Sequence, residues 1–272
     1  MIELKDICKS YKNKTVLQHL NFTIDKGQRI AIFGENGCGK TTLLKIIVGQ
    51  IKSFSGGAYY QNTDLRISAL IETPQFIETW SGEENLFYFL KRKELKNTKR
   101  YIELFGLSDD IERKVSSYSL GMKQKLLLIL ALSRDFDLLL LDEPYIALDN
   151  EAVQNLDKEI FEISNKGKSV VVVSHIFNQF TEQFISYKFS NGKIFPLGYE
   201  QFDYYKYRMV FLDSACKRAA IDNIGEIKII EDRANEFICL LPRNQISTYI
   251  KYFSNYSLVQ AQKLQVSLNE IN

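Results

Sequence analysis

The sequence predicts an α/β fold with a mainly parallel sheet, and three observations carry that prediction. A short apolar run, Gln28 to Gly34 ("QRIAIFG"), enters a glycine-rich turn. Thr41 to Gly49 ("TTLLKIIVG") then spaces its apolar residues along one helical face and ends in glycine. Two further runs, Leu138 to Asp142 and Ser169 to His175 ("SVVVVSH"), are apolar without alternation, as strands buried on both faces are. Between those runs, "NEAVQNLDKEIFEISNKG" reads as a polar-faced helix closing on Gly167. Strand, helix and strand in this order imply a βαβ unit.

The remaining elements follow in order. An antiparallel β part is expected at the N-terminus. The segment from about Ser81 to Leu132 is rich in helix formers and lacks a clear strand pattern, so it is read as a helical insertion, about residues 80–132, between two core strands. Beyond Leu197 the character changes. A tyrosine-rich stretch ("YEQFDYYKYRMVF") precedes two strand-like runs, "EIKIIE" and "EFICLL", and a helical pattern near "NQISTYIKYF". A small α+β appendage is expected there, dividing the chain into domains 1–200 and 201–272.

Composition narrows the function classes. The 272 residues are 45% hydrophobic and 25% charged, enough apolar mass for a sizeable core. A formal net charge of +2 gives no basis for nucleic-acid binding. Cys8, Cys38, Cys216 and Cys239 are scattered without C-x-x-C spacing or a histidine pair, so neither disulfides nor a zinc site is expected and a reducing cytoplasm is the simpler setting. The N-terminus is charged from its third residue, unlike a secretory signal. The apolar runs fall short of the roughly 20 residues a membrane span needs. The basic run "KRKELKNTKR" reads as a solvated helix face, with contact to anionic lipid or a membrane subunit as the alternative.

The strongest chemical signal is "GENGCGKT", Gly34 to Thr41, which fits G-x-x-x-x-G-K-[ST] in full. Gly34, Glu35, Asn36, Gly37, Cys38 and Gly39 form a loop whose backbone N–H groups can turn inward onto phosphate oxygens. The following helix adds the positive end of its dipole. In this pattern Lys40 reaches the β- and γ-phosphates and the Thr41 hydroxyl ligates Mg²⁺, with Thr42 beside it. The acidic half comes from "LLLLDEP": Asp142 for the metal and Glu143 for the attacking water. The competing reading makes Asp142 and Glu143 caps of a helix beginning at Pro144. Cys38 reads as a small residue that fits the loop; a thiol made acidic by Lys40 and the helix N-terminus beside it is the alternative.

Taken together, these motifs resemble the ATP-binding subunit of an ABC transporter, over most of residues 1–200. Tyr11, in "KSYKNKTVL", sits where that family stacks an aromatic on adenine. "YSLGMKQKL" is similar to the family signature loop, with Ser119 and Gly121 at its serine and second glycine. "ALD", Ala147 to Asp149, matches the D-loop, and His175 matches the switch histidine. The resemblance implies ATP and Mg²⁺ as ligands and catalysis by Glu143 and His175. It also implies head-to-tail pairing with a second ATP-binding subunit, so that Ser119 and Gly121 meet a partner's γ-phosphate. Permease subunits would hold the protein at the inner face of the cell membrane.

Departures from the family pattern narrow the branch. In "ALIETPQF", alignment on the proline puts Glu72 where the family has a glutamine, with Gln75 as the competing candidate. A carboxylate there stands near the metal and the attacking water. Leu120 and Met122 replace a glycine and the glutamine of the signature. The S-x-G-M form, the glutamate loop and the ending "LQVSLNEIN" resemble ATPases of lantibiotic-immunity and bacitracin-resistance exporters. An importer ATPase, or a soluble ABC ATPase acting on ribosomes or DNA, is the alternative. About a hundred residues separate Lys40 from Asp142, too few for the coiled coil of the DNA-repair members.

Overall fold

The computed structural model describes residues 1–12, 14–71, 76–175, 184–197, 204–222, 228–242 and 246–264. The chain divides into two compact units: the first holds Met1–His175 and the strands through Pro196, the second the chain from Leu197 onward.

The first unit carries two sheets. β1 (Ile2–Tyr11), β2 (Lys14–Ile24) and β4 (Ser55–Tyr60) make an antiparallel sheet in the order β2-β1-β4. β3 (Arg29–Phe33), β5 (Ile67–Leu70), β6 (Leu138–Asp142), β7 (Ser169–Ser174), β8 (Ile185–Ser190) and β9 (Lys193–Pro196) make the second, in the order β5-β6-β7-β3-β8-β9. Every pair in it is parallel except the β8–β9 hairpin. That hairpin turns on Asn191 and Gly192, with φ of 50° and 73°, as a two-residue turn with both centres left-handed requires. β7 is buried at all six positions and β6 at its first four, which explains their unbroken apolar runs.

Among the described residues, five α-helices serve this unit. α1 (Lys40–Ile47) follows β3 directly, and α5 (Asn150–Asn165) joins β6 to β7 with an apolar stripe of Leu156, Ile160 and Ile163. The insertion contains α2 (Gly82–Phe89), α3 (Thr98–Leu104) and α4 (Leu120–Ser133), with short 3₁₀ turns at Leu95–Asn97 and Val115–Ser117. α2 opens on a reciprocal capping box between Ser81 and Glu84. α4 is unusual: its first turns are partly open, while every residue from Leu126 to Ser133 is buried. A helix apolar all round belongs inside a core.

Strand order positions the site. β6, β7 and β3 are parallel neighbours, with Phe33 opposite Ser174 and Asp142 opposite Val173. Their carboxyl ends therefore deliver Gly34, Glu143 and His175 to one edge, where open α/β sheets bind ligands.

The second unit runs β10 (Tyr204–Phe211), α6 (Ser214–Asp222), β11 (Lys228–Asp232), β12 (Glu236–Pro242), α7 (Ile246–Ser254) and β13 (Leu258–Lys263). Its antiparallel sheet has the order β11-β12-β10-β13, the split βαβ arrangement seen in ferredoxin-like folds. Met209, Phe211, Phe237, Cys239 and Phe253 fill its core. The Phe253 ring meets Phe211 and Phe237 edge-on at 5.8 and 5.5 Å. Three of these elements, β10, α6 and β13, were not foreseen in the sequence.

Candidate nucleotide site

The loop from Gly34 to Gly39 bridges β3 and α1. Gly39 has φ of 122°, and a Cβ there would lie 2.8 Å from Val16 Cγ1, so both backbone and space demand glycine. Lys40 is buried, and its ammonium donates to the carbonyls of Gly34 at 2.7 Å and Glu35 at 2.9 Å. A buried cation held only by carbonyl dipoles is poised for a stronger anionic partner. One step along α1, Thr41 Oγ1 donates to Asp142 Oδ2 at 2.6 Å across 101 residues of sequence. With its proton aimed at Asp142, the hydroxyl keeps its lone pairs for a cation, beside a carboxylate oxygen. Burial raises the Asp142 pKa, and the Glu143 charge adds to this, while the Thr41 bond and the Lys40 charge oppose it.

A cavity of about 550 Å³ opens over this loop. Tyr11, Asn36, Gly37, Gly39, Lys40, Thr41, Thr42, Asp142 and Glu143 line it, so nine residues singled out in the sequence meet there. The volume lies in the usual range for small-molecule sites. Val16, Leu70, Ile71, Leu120, Gln124, Leu127 and Ile146 complete the wall. Apart from Leu120, which stands out in the sequence as a departure in the signature loop, these come from other elements and carry no motif; Gln124 has one usable signal, standing four residues after Leu120 on one helical face.

Glu143 follows Asp142 with a left-handed φ of 49°, rare for a non-glycine residue. Its N–H donates to Val173 O at 2.8 Å, which extends the β6–β7 pairing and fixes the turn. Ser174 Oγ donates to Glu143 Oε2 at 3.2 Å. His175 Nδ1 stands 2.9 Å from the same oxygen, off the hydrogen-bond direction. Glu143 Oε1 and His175 Nδ1 are both buried without a hydrogen-bond partner among the described residues. An ionisable pair left unsatisfied at the edge of a cavity is the expected signature of a site that a ligand completes. The donor set therefore fits a magnesium polyphosphate: a buried ammonium and glycine-loop amides for the phosphates, and adjacent hydroxyl and carboxylate oxygens for a hard cation.

Among the described residues, Gly34, Glu35, Cys38, Ser119, Gly121, Asp149 and His175 are not part of the cavity wall. Ser119 caps α4, its hydroxyl accepting from Met122 N at 3.2 Å. Leu120, in place of a family glycine, is 69% exposed and does line the cavity. A Cβ on Gly121 would lie 2.6 Å from Ala147 O, so the signature and the Ala147–Asp149 loop are in direct contact. Asp149 caps α5 by accepting from Ala152 N at 2.8 Å, and it pairs with Lys125 of α4 at 2.6 Å. These two contacts hold its carboxyl below the usual range, Lys125 first. The helix after Pro144, which would have made Asp142 and Glu143 caps, does not form; α5 starts at Asn150. Cys38 goes against the acidic-thiol alternative: burial raises its pKa, and this outweighs the nearby Lys40 charge and backbone N–H groups. Glu72 and Gln75 lie outside the described residues.

Comparison with known proteins gives the same picture. The ABC transporter family profile matches residues 17–146. The chain is 32% identical over 192 residues to the ABC transporter ATP-binding protein YhcH of Bacillus subtilis (strain 168), covering 66% of this chain and 63% of YhcH. It is 32% identical over 187 residues to the lantibiotic transport ATP-binding protein SrtF of Streptococcus pyogenes, covering 66% of this chain and 82% of SrtF. It is 30% identical over 193 residues to the bacitracin transport ATP-binding protein BcrA of Enterococcus faecalis, covering 66% of this chain and 62% of BcrA. Among solved structures, an ATP-binding subunit of an ABC transporter superposes with a TM-score of 0.65 at 25% identity, over 72% of this chain and 90% of that one. A dimeric bacterial ABC transporter cassette superposes with a TM-score of 0.64 at 23% identity, over 71% and 96%. The chain belongs to the ABC transporter family of ATP-binding, ATP-hydrolysing proteins.

Proposed function

We propose that this chain is the ATP-hydrolysing subunit of an ABC exporter that expels an antimicrobial peptide or drug, in self-immunity or resistance. Residues 1–200 act as the ATP-binding domain, with residues 80–132 as its helical subdomain, and residues 201–272 as an accessory domain. The observation that carries the hydrolytic half is Glu143, held at φ 49° beside His175 with one buried oxygen left unsatisfied. Support for the export half comes from the likeness to SrtF and BcrA and from the S-x-G-M signature.

In this reading Tyr11 stacks on adenine, and Gly34 to Thr42 hold the phosphates. Lys40 exchanges the Gly34 and Glu35 carbonyls for β- and γ-phosphate oxygens. Thr41 and Asp142 would hold Mg²⁺, with Glu72 as a further candidate ligand from the sequence; when bound, the ion would supply positive charge against that developing on the phosphates. Glu143 orients the attacking water and takes its proton, and His175 contacts the γ-phosphate. Ser119, Gly121 and Asp149 serve a second ATP-binding subunit, arranged head to tail. The exposed Leu120 and Ile146 give that face apolar area to bury. Permease subunits supply the membrane span, and among the described residues no helix is long and apolar enough to cross one.

The test is Glu143→Gln. It should abolish phosphate release while trapping an ATP-bound dimer, read by light scattering after gel filtration. A chain that stays monomeric at saturating Mg-ATP would sink the sandwich. Glu72→Gln should retain ATP binding and change coupled export; wild-type export together with wild-type hydrolysis would remove Glu72 from the site.

A further inference from the structure

A second cluster of chemistry-bearing side chains lies on the β1–β2 sheet. The register there runs from Ile7↔Leu20 to Lys9↔Leu17, leaving Cys8 on one strand facing Gln18 and His19 on the other. This bulge re-aims side chains that regular pleating would keep apart. Asp6 and His19 both take left-handed backbones, with φ of 51° and 47°. As a result, His19 Nδ1 lies 2.7 Å from Asp6 Oδ1, and the His19 N–H donates to Cys8 Sγ at 3.2 Å. One carboxylate oxygen, one thiol sulfur and one imidazole nitrogen fall within 4.8 Å of one another. Asn21 braces the cluster: its side-chain oxygen accepts from Asp6 N at 3.0 Å and its amide donates to His19 O at 3.3 Å.

We propose that Asp6, Cys8 and His19 form a site for a divalent transition-metal ion of the zinc class. Sulfur, nitrogen and oxygen donors together suit such an ion, whereas Mg²⁺ selects oxygen alone. Around tetrahedral zinc, with ligand bonds of about 2.0–2.3 Å, donor atoms stand about 3.3–3.8 Å apart. The Asp6 and His19 donors, 2.7 Å apart, therefore need to part by at least about 0.6 Å and the widest pair, within 4.8 Å, to close by about 1.0–1.5 Å; Asp6 and His19 are both exposed. Three protein ligands leave the fourth position to water or an incoming donor. Such an ion would clamp β1 to β2 three residues before Tyr11, on the strand that leads into the nucleotide cavity.

Cobalt(II) is the probe, titrated into the full chain without nucleotide and with excess Mg²⁺. The expected result is one ion per chain with a thiolate-to-cobalt charge-transfer band, displaced by Zn²⁺. Cys8→Ser should remove that band, and His19→Ala and Asp6→Ala should each weaken binding by at least about tenfold. A wild-type chain that shows no such band overturns the proposal. So does a band of full strength in Cys8→Ser, which would place the ion on another thiol. Far-UV circular dichroism reports whether each variant folds; if Cys8→Ser does not, unchanged cobalt affinity in His19→Ala is the overturning result.

Discussion

Gly121→Ala tests whether the signature loop works through the loop it touches. The added methyl would stand 2.6 Å from Ala147 O, against an ordinary contact of at least 3.4 Å, so helix and loop must part by about 0.8 Å. The obstacle is a backbone carbonyl, which no rotamer change removes. Misplacement of about 1 Å in a catalytic constellation costs on the order of a hundredfold in rate. We therefore expect kcat for ATP hydrolysis to fall about 30- to 100-fold, or about 2–3 kcal/mol of barrier. ATP affinity of the single chain should change by less than about twofold, because Gly121 does not line the cavity. Steady-state phosphate release and a fluorescent ATP analogue separate the two quantities. A kcat within about threefold of wild type would refute the reasoning, since it would mean the two segments separate at no catalytic cost.

Two further outcomes concern the frame around the site. Tyr145 donates to Asp157 at 2.6 Å, yet burial pushes the Asp157 carboxyl up to about 6. Its folded value lies above the unfolded one, so its contribution to stability is full below pH of about 4 and is lost as the pH climbs towards 6. In urea unfolding, Asp157→Asn should remove a pH-dependent difference on the order of 2 kcal/mol between pH of about 4 and 7; a difference independent of pH would contradict the assignment. Glu159 is only 4% exposed and is held by Arg100 and by Tyr101 Oη at 3.0 Å. Arg100→Ala should cost about 2–3 kcal/mol by leaving that carboxylate unpaired, and adding Glu159→Gln should recover part of it in the same unfolding measurement.

What could be read from the sequence was what lies close together along it. The glycine loop, Lys40 and Thr41 fall within one turn and one helix start, and unbroken apolar runs marked β6 and β7. β10 was harder to see, although Tyr207, Met209 and Phe211 alternate on the face that meets the core. Its tyrosines blurred the two-residue period, and β13 ("LVQAQK") is too polar to stand out. At the site, Val16 and Ile146 reach the cavity only through packing of distant segments. The same holds for Cys8 and His19, which stand eleven residues apart, show no metal-type spacing along the chain, and are brought together by a strand bulge.

α4 has a mechanical consequence. Its 14 residues make a rod of about 21 Å, buried from Leu126 to Ser133, with its first turns reaching out to Ser119. A tilt of about 6° at the buried part moves the projecting tip, about 9 Å away, by about 1 Å, the scale on which catalytic alignment is lost. Lys123, Gln124 and Lys125 tie the outer turns to Glu78, Pro144 and Asp149, whereas the buried turns take their direction from the shapes of the leucines around them. Exchanges among Leu126, Leu128 and Leu130, far from any phosphate, are thus levers on the aim of the signature serine.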